Sequence, residues 1–156
     1  MKARDIMSKE VITLNPDDTA ALVAEKFLKN NINGAPVMDD EKVVGFVSEK
    51  NLVNLISEIF ESSIGTLASA LPPIISDRLL KIEVDELFRD FERAQKVKIK
   101  EIMTKKSITI LPETLIEKVA EIMCEKDVNH LPVVDEDGKL VGIVAREDII
   151  HAITKG

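Results

Sequence analysis

The chain states one phrase twice. Residues 2–40, opening KARDIMSKEVITLNPDD, lie over residues 98–136, opening KIKEIMTKKSITILPET. Met7 falls on Met103, Thr13 on Thr109, Pro16 on Pro112 and Pro36 on Pro132. The second copy then carries one extra residue at Asp137–Gly138, after which Gly45 falls on Gly142. Units of roughly 55 residues that agree in this order are an internal duplication. Any fold proposed for one copy must serve the other, which removes most architectures at once.

Each copy reads as strand, helix, strand, strand, helix. Val11–Thr13 and Ile108–Ile110 are β-branched runs that predict strands. Asp18 and Thr114 stand where a helix N-cap belongs, and Thr114 with Glu117 spells a capping box. Ala20, Val23, Ala24, Phe27 and Leu28 follow, as do Ile116, Val119, Ala120, Met123 and Cys124. Both sets fit the i, i+3, i+4, i+7, i+8 stripe of an amphipathic helix. That stripe puts Cys124, the single cysteine, where the first copy has Leu28, and predicts a buried packing residue. The segments APVMD and VVGFVS, with LPVVD and LVGIVA, predict one hairpin per copy around the turns DEK and DEDGK. A last helix opens at Ser48 and at Ala145.

A unit with so few strands cannot cover its own sheet. The two copies are therefore expected to pack face to face, as an α/β (α+β) fold of small mixed sheets and helices. A pseudo-two-fold should relate residues 2–56 and 98–153. The expected organisation is repeat 1 over 1–57, a helical insert over 58–96, and repeat 2 over 97–156.

Composition narrows the function. The 156 residues carry a formal charge of −7 with no Trp or Tyr, and no basic stretch longer than Lys105–Lys106. Nucleic-acid binding needs a basic, aromatic-studded face, so it is not expected. No apolar run approaches the ~18–20 residues of a membrane span, and the start MKARDIMSKE lacks a secretory apolar stretch; a cytoplasmic protein is expected. The two histidines, His130 and His151, form no nucleophile–base set with a Ser, Thr or Cys. No zinc ligand cluster or phosphate loop is visible either, so no catalytic residue, metal or required cofactor is expected. His151, in the last helix, reads as a surface residue.

A binding site has better support. A ribose is well held by a carboxylate that accepts from its two hydroxyls. A phosphate is held by hydroxyls, by backbone N–H groups at a helix start and by a cation. The strand-to-helix junctions carry such groups: Ala145, Arg146 and Asp148 in GIVAREDII, and Ser48, Lys50 and Asn51 in GFVSEKNLV. Capping competes with this reading. Ser48 is a good N-cap with Asn51 at N3, and Asp148 suits the dipole of a helix start.

The order of elements, with the phrases IMTKKSITILPETLIEKVAEIM and P…D…GKLVGIVAREDII, resembles the cystathionine-β-synthase (CBS) domain. Two copies in one chain resemble the CBS pair, or Bateman module. The resemblance covers both copies and leaves out the stretch between them. It implies a compact pair with two related clefts between the repeats, in which adenosine-containing ligands bind: AMP, ADP, ATP or S-adenosylmethionine. It also implies a homodimer and a regulatory role, with the change passed to a separate effector protein.

In that family a Ser or Thr, two variable residues and an Asp line the junction, and the Asp holds the ribose. Asp148 matches and Ala145 departs; Ser48 matches and Asn51 departs. The clefts are thus expected to be unequal, with Asp148 the stronger ribose partner. The family also reads adenine with backbone before the hairpin proline. This adds Asn33, Gly34 and Ala35, with Thr13, in copy one. In copy two it adds Asn129, His130 and Leu131, with Thr109. His130 either approaches a phosphate or is a solvent-facing turn residue. Ile6, Ile143 and Leu131 would flank the adenine. With only Arg146 and Lys50 as nearby cations, a mono- or diphosphate or S-adenosylmethionine should bind better than ATP.

The insert is not low-complexity. Leu52, Leu55, Ile56, Ile59, Phe60, Ile64, Leu67 and Leu71 continue a helical stripe until Pro72–Pro73. Val84, Leu87, Phe88, Phe91 and Ala94 make a second. Their apolar faces serve as padding, or as a dimer or partner contact. The second use defines the rival function: an interaction module working through its insert, without a ligand.

Overall fold

The computed structural model describes residues 1–68 and 88–155. The elements are α1 (Ala3–Ile6), α2 (Ala20–Asn30), β1 (Gly34–Asp39), β2 (Lys42–Ser48) and α3 (Glu49–Ala68). After them come α4 (residues 88–96), a 3₁₀ turn (Ile99–Glu101), α5 (Ile116–Lys126), β3 (His130–Val134), β4 (Leu140–Ala145) and α6 (Arg146–Lys155). The strands form two two-stranded hairpins, β1–β2 and β3–β4. In the second, His130 faces Ala145 and Pro132 faces Ile143 in antiparallel register, with an irregularity at Val133–Val134. Asp135 turns this hairpin: its Oδ1 accepts from the N–H groups of Asp137 and Lys139, both at 2.9 Å. Gly138, at φ 82°, absorbs the extra residue of copy two.

The described chain forms two units, and each draws on both copies. One comprises residues 1–15, 34–46 and 104–156; the other comprises 16–33 and 47–103. In the first, the start of copy one lies on copy two. Ala3 N–H donates to Thr114 C=O at 2.8 Å, Arg4 to Pro112 at 3.0 Å, and Ile116 to Met1 C=O at 3.1 Å. Ser8 and Ile143 exchange bonds of 2.9 and 3.0 Å. The core here is Ala3, Ile110, Val119, Met123, Leu131, Val133 and Val144.

The second unit repeats the arrangement with the copies exchanged. Ile99 donates to Asp18 C=O at 2.9 Å, Lys100 to Pro16 at 3.1 Å, and Ala20 to Val97 at 2.8 Å. One core cluster here is Ala20, Leu55 and Ala94, packed by Leu52, Ile56, Ile59, Val97 and Ile102, and Val23, Phe27, Val47 and Ile99 are buried in the same unit. Thus Ala94 of the insert is a core residue, while Phe88 and Phe91 on the same helix are exposed. The predicted stripe residues Leu71, Val84 and Leu87, the Pro72–Pro73 stop, and the side chains of Phe60, Ile64 and Leu67 lie outside the described residues.

Four local expectations are corrected. Val11–Thr13 and Ile108–Ile110 are not strands; the ladder contact shrinks to single parallel bridges, Leu14 to Val37 and Ile110 to Val133. The N-caps fall one residue later, on Thr19 and Leu115. Thr19 Oγ1 accepts from Leu22 N–H at 3.3 Å, whereas Leu115 has no capping side chain. The Thr114 hydroxyl instead accepts from Leu111 N–H at 3.1 Å, so no capping box forms with Glu117. A first-turn N–H of each helix, on Ala20 and on Ile116, is met by a backbone carbonyl from the other copy.

Finally, Cys124 is exposed, as is its counterpart Leu28, at 85%. At about 100° per residue the i+8 position lies roughly 80° round from the start of the stripe. Ala20, Val23 and Phe27 fill the buried face without it.

Each strap is also latched by charge. Lys2 and Arg4 both bind Glu113. In the other unit Asp17 Oδ1 lies 3.1 Å from Lys100 and 3.6 Å from Lys98, the residues equivalent to Arg4 and Lys2. The hydrogen bond from Lys2, reinforced by the Arg4 charge, holds the Glu113 carboxyl below its ordinary 4.5. The hydrogen bond and charge of Lys100, then Lys98, hold Asp17 below its ordinary 3.8. A lowered carboxyl stabilises the fold fully above the unfolded value and loses that contribution as pH falls through the folded one. Melting temperature should therefore drop between about pH 5 and the lower folded values. The Asp17→Asn, Glu113→Gln double variant should show a shallower acid slope than wild type; identical slopes would remove the latches from the account.

Close backbone approach adds a second requirement. A Cβ on Gly142 would stand 2.5 Å from Met7 Sδ and 3.0 Å from Ser8 O. Gly142→Ala should cost about 1–3 kcal/mol in urea unfolding, the size of an overpacked core site.

Candidate functional site

The strand-to-helix junctions differ in what their N3 side chains do. In copy two, Asp148 Oδ2 accepts from Ala145 N–H at 2.7 Å, fastening the start of α6. The other oxygen, Oδ1, has no hydrogen-bond partner among the described residues. Asp148 lines a cleft of ≈ 400 Å³ in the first unit, with Met1, Asp5 and Ile6 on one side and His151, Ala152 and Lys155 on the other. Asp148, His151, Ala152 and Lys155 are spaced i, i+3, i+4, i+7 and share one face of α6.

In copy one both ends of the equivalent amide are engaged. Asn51 Oδ1 accepts from Ser48 N–H at 2.8 Å and from the Ser48 hydroxyl at 3.0 Å. Asn51 Nδ2 then donates to Ile102 C=O at 3.0 Å. Ile102 is the counterpart of Ile6, which lines the Asp148 cleft. An amide can donate to a carbonyl and a carboxylate cannot. The substitution that distinguishes the copies thus binds the N3 side chain to the strap in one and leaves it open in the other. Ser48 donates its hydroxyl to Asn51, so the predicted cap operates in reverse, from N3 back to the cap residue.

The remaining candidates are distributed as follows. Thr13 and Thr109 are exposed beside the bridge residues Leu14 and Ile110. Gly34 and Ala35 open β1, buried, and His130 and Leu131 open β3. His130 is half-buried, its ring 5.4 Å from that of Phe46 and inclined by 31°. A Cβ on Gly34 would stand 2.8 Å from Phe46 and 3.0 Å from His130. Gly34 is itself the counterpart of His130, so the small residue of one copy makes room for the imidazole of the other. Asn33 and Asn129 give their carbonyls to the N–H groups of Glu49 and Arg146, both at 2.9 Å. Arg146 and Lys50 are exposed at the starts of α6 and α3, and neither Arg146 nor Ala145 lines the Asp148 cleft. Of the predicted ribose, phosphate and adenine groups, the cleft brings together Asp148 and Ile6.

Sequence reading missed Met1, Asp5, His151, Ala152 and Lys155 as cleft residues. The helical spacing forward from Asp148 could have found the last three. Among the described residues no group of three His, Cys, Asp or Glu could hold a metal ion. No described helix is long and apolar enough to cross a membrane.

Comparison with known proteins bears on this arrangement. The family model described as CBS domain matches residues 3–58 and again residues 99–155. An uncharacterized protein of Methanocaldococcus jannaschii, MJ1426, is 35% identical over 154 residues, which is 98% of this chain and 91% of that protein. The crystal structure of CBSX2 in complex with AMP superposes with a TM-score of 0.70 at 23% identity, covering 99% of this chain and 96% of that one. The CBS domain pair of MJ0100, in complex with 5′-methylthioadenosine and S-adenosyl-L-methionine, gives 0.73 at 24% identity, covering 99% and 97%. At such identities these two likenesses establish the fold.

The exchange of amide for acid has a measurable cost. Asn51→Asp should lose the bond to Ile102 and leave a carboxylate facing its carbonyl, a destabilisation of about 1–3 kcal/mol. Asp148→Asn keeps an acceptor for Ala145 N–H and should unfold in urea near wild type. Equal midpoints for wild type and Asn51→Asp would contradict the reading.

Proposed function

The chain belongs to the CBS-domain family as a tandem pair, and on that premise we propose that it is a regulatory module that binds an adenosine-type ligand at the Asp148 cleft. The observation that carries the reading is the half-used carboxylate of Asp148. One oxygen holds the start of α6 and the other is open beside a ≈ 400 Å³ cleft. Vicinal ribose hydroxyls are donors that suit such an acceptor. The CBSX2 complex with AMP and the MJ0100 complex with adenosyl compounds support the ligand class.

In this reading the protein works without catalysing a reaction, in the cytoplasm, and its two repeats act as one module. Unit one is built from segments of both copies, so a ligand held between α1 and α6 biases how the copies pack. A partner, either a second copy or a separate effector protein, reads that bias. The bonds at both ends of the Asn51 amide support unequal use of the two junctions. Exposed Phe88 and Phe91 favour the other reading, an interaction module working through the insert.

Calorimetry with AMP, ADP, ATP and S-adenosylmethionine separates the two. Binding of an adenosine compound should weaken by about 1.5–3 kcal/mol in Asp148→Ala, the size of hydrogen bonds to a charged group. Asn51→Ala should weaken it less. Undiminished binding in Asp148→Ala, or no binding of any adenosine compound to wild type, would end the proposal.

A further inference from the structure

We infer that Lys155, assisted by His151, makes the Asp148 cleft prefer a phosphorylated adenosine ligand to the unphosphorylated nucleoside. The inference rests on the adenosine reading above and adds a specificity determinant to it.

The cleft is polarised along α6. Asp148 sits near the start of the helix, His151 one turn on, and Lys155 two turns on, all lining the same space. Seven residues of helix rise about 10 Å, which the flexible four-carbon stem of a lysine can shorten by folding back. Neither Asp148 nor Lys155 has an ion-pair partner among the described residues, and they do not pair with each other. Neither charge is taken up by a neighbouring side chain, and Lys155 is exposed to solvent.

The opposing wall brings one carboxylate, that of Asp5, which is already engaged by its own strap. Asp5 Oδ2 takes the Lys2 N–H at 2.7 Å, and its Oδ1 lies 4.0 Å from Arg4 Nε. Met1 and Ile6 are apolar. A ligand matching this cleft offers hydrogen-bond donors at one end and an anion at the other. The ribose hydroxyls and the 5′-phosphate of a nucleoside monophosphate have that polarity. Arg146, the cation expected from sequence to serve the phosphate, does not line the cleft.

Lys155 also lies in the last turn of α6, where a cation balances the helix dipole. The test must therefore read specificity as well as stability. Titration calorimetry would compare AMP, adenosine and 5′-methylthioadenosine on wild type, Lys155→Gln, Lys155→Arg and His151→Gln. Wild type should bind AMP at least tenfold more tightly than adenosine, with that advantage shrinking as salt rises. Lys155→Gln should cut the advantage three- to tenfold while leaving adenosine and 5′-methylthioadenosine unchanged, and Lys155→Arg should restore it. His151→Gln should show a smaller cut of the same kind. An AMP-to-adenosine ratio unmoved by Lys155→Gln, with binding intact, would overturn this inference alone. A wild type that binds none of the three would overturn the adenosine reading, and this inference with it.

Discussion

Everything in the described structure depends on backbone hydrogen bonds made by two short straps. Residues 1–8 bond the loop, the α5 start and the strand β4 of copy two, and residues 97–100 bond the loop and the α2 start of copy one. A helix leaves its first N–H groups without internal partners, and those groups must be met somewhere. Here Met1 and Val97 lend carbonyls to Ile116 and Ala20 across the copies. The helix of each repeat is therefore started in part by the other. That is why contact units in this chain do not follow sequence order, and why one copy alone would lack both a cap and a wall of its core. Ala3, fully buried in the core of copy two, and Ile99, fully buried in its mirror position, state the same dependence in apolar terms.

This explains what could and could not be read from the sequence. The duplication was legible because it is written in residue identities, and it carried the hairpins, the α2 and α5 helices and the family. Local chemistry misled at three places, and at one of them because the answer came from the other copy. Thr114 and Glu117 form a capping box on paper, but the strap already supplies the carbonyl, and Thr114 turns to Leu111. The runs Val11–Thr13 and Ile108–Ile110 have the composition of strands, yet the first is followed by a single bridge at Leu14 and the second bridges only at Ile110. Cys124 obeys the stripe arithmetic but sits on its rim, beside a buried face made by Val119 and Met123.

The candidate site was legible in a similar, partial way. The junction and its key carboxylate, Asp148, follow from chemistry at a helix start together with the family pattern. The other wall does not, because Asp5 and Ile6 come from a strap whose destination no periodicity announces. Lys155 and His151 are announced only by their helical spacing from Asp148. Arg146 drew notice by nearness in sequence, but residues two apart on a helix point in different directions and do not share a face. Spacing, rather than nearness along the chain, matches the residues that line the cleft.

The difference between Asn51 and Asp148 is then a consequence of duplication. A folded pair needs both straps fastened, but it needs only one of the two N3 side chains to do extra fastening. In copy one the residue at N3 must accept from its own cap and also donate to Ile102, and an amide is the smallest side chain at that reach that does both. In copy two the same position accepts from Ala145 and donates nothing, so Ile6 is left unbonded by it and the space between α1 and α6 stays open. A carboxylate there costs the fold one hydrogen bond that its twin keeps. It keeps one oxygen that no described group uses, on a residue that lines the cleft. The asymmetry is thus a difference in bonding between equivalent positions: the amide of Asn51 is tied to the strap, and the carboxylate of Asp148 keeps one oxygen unbonded at the cleft.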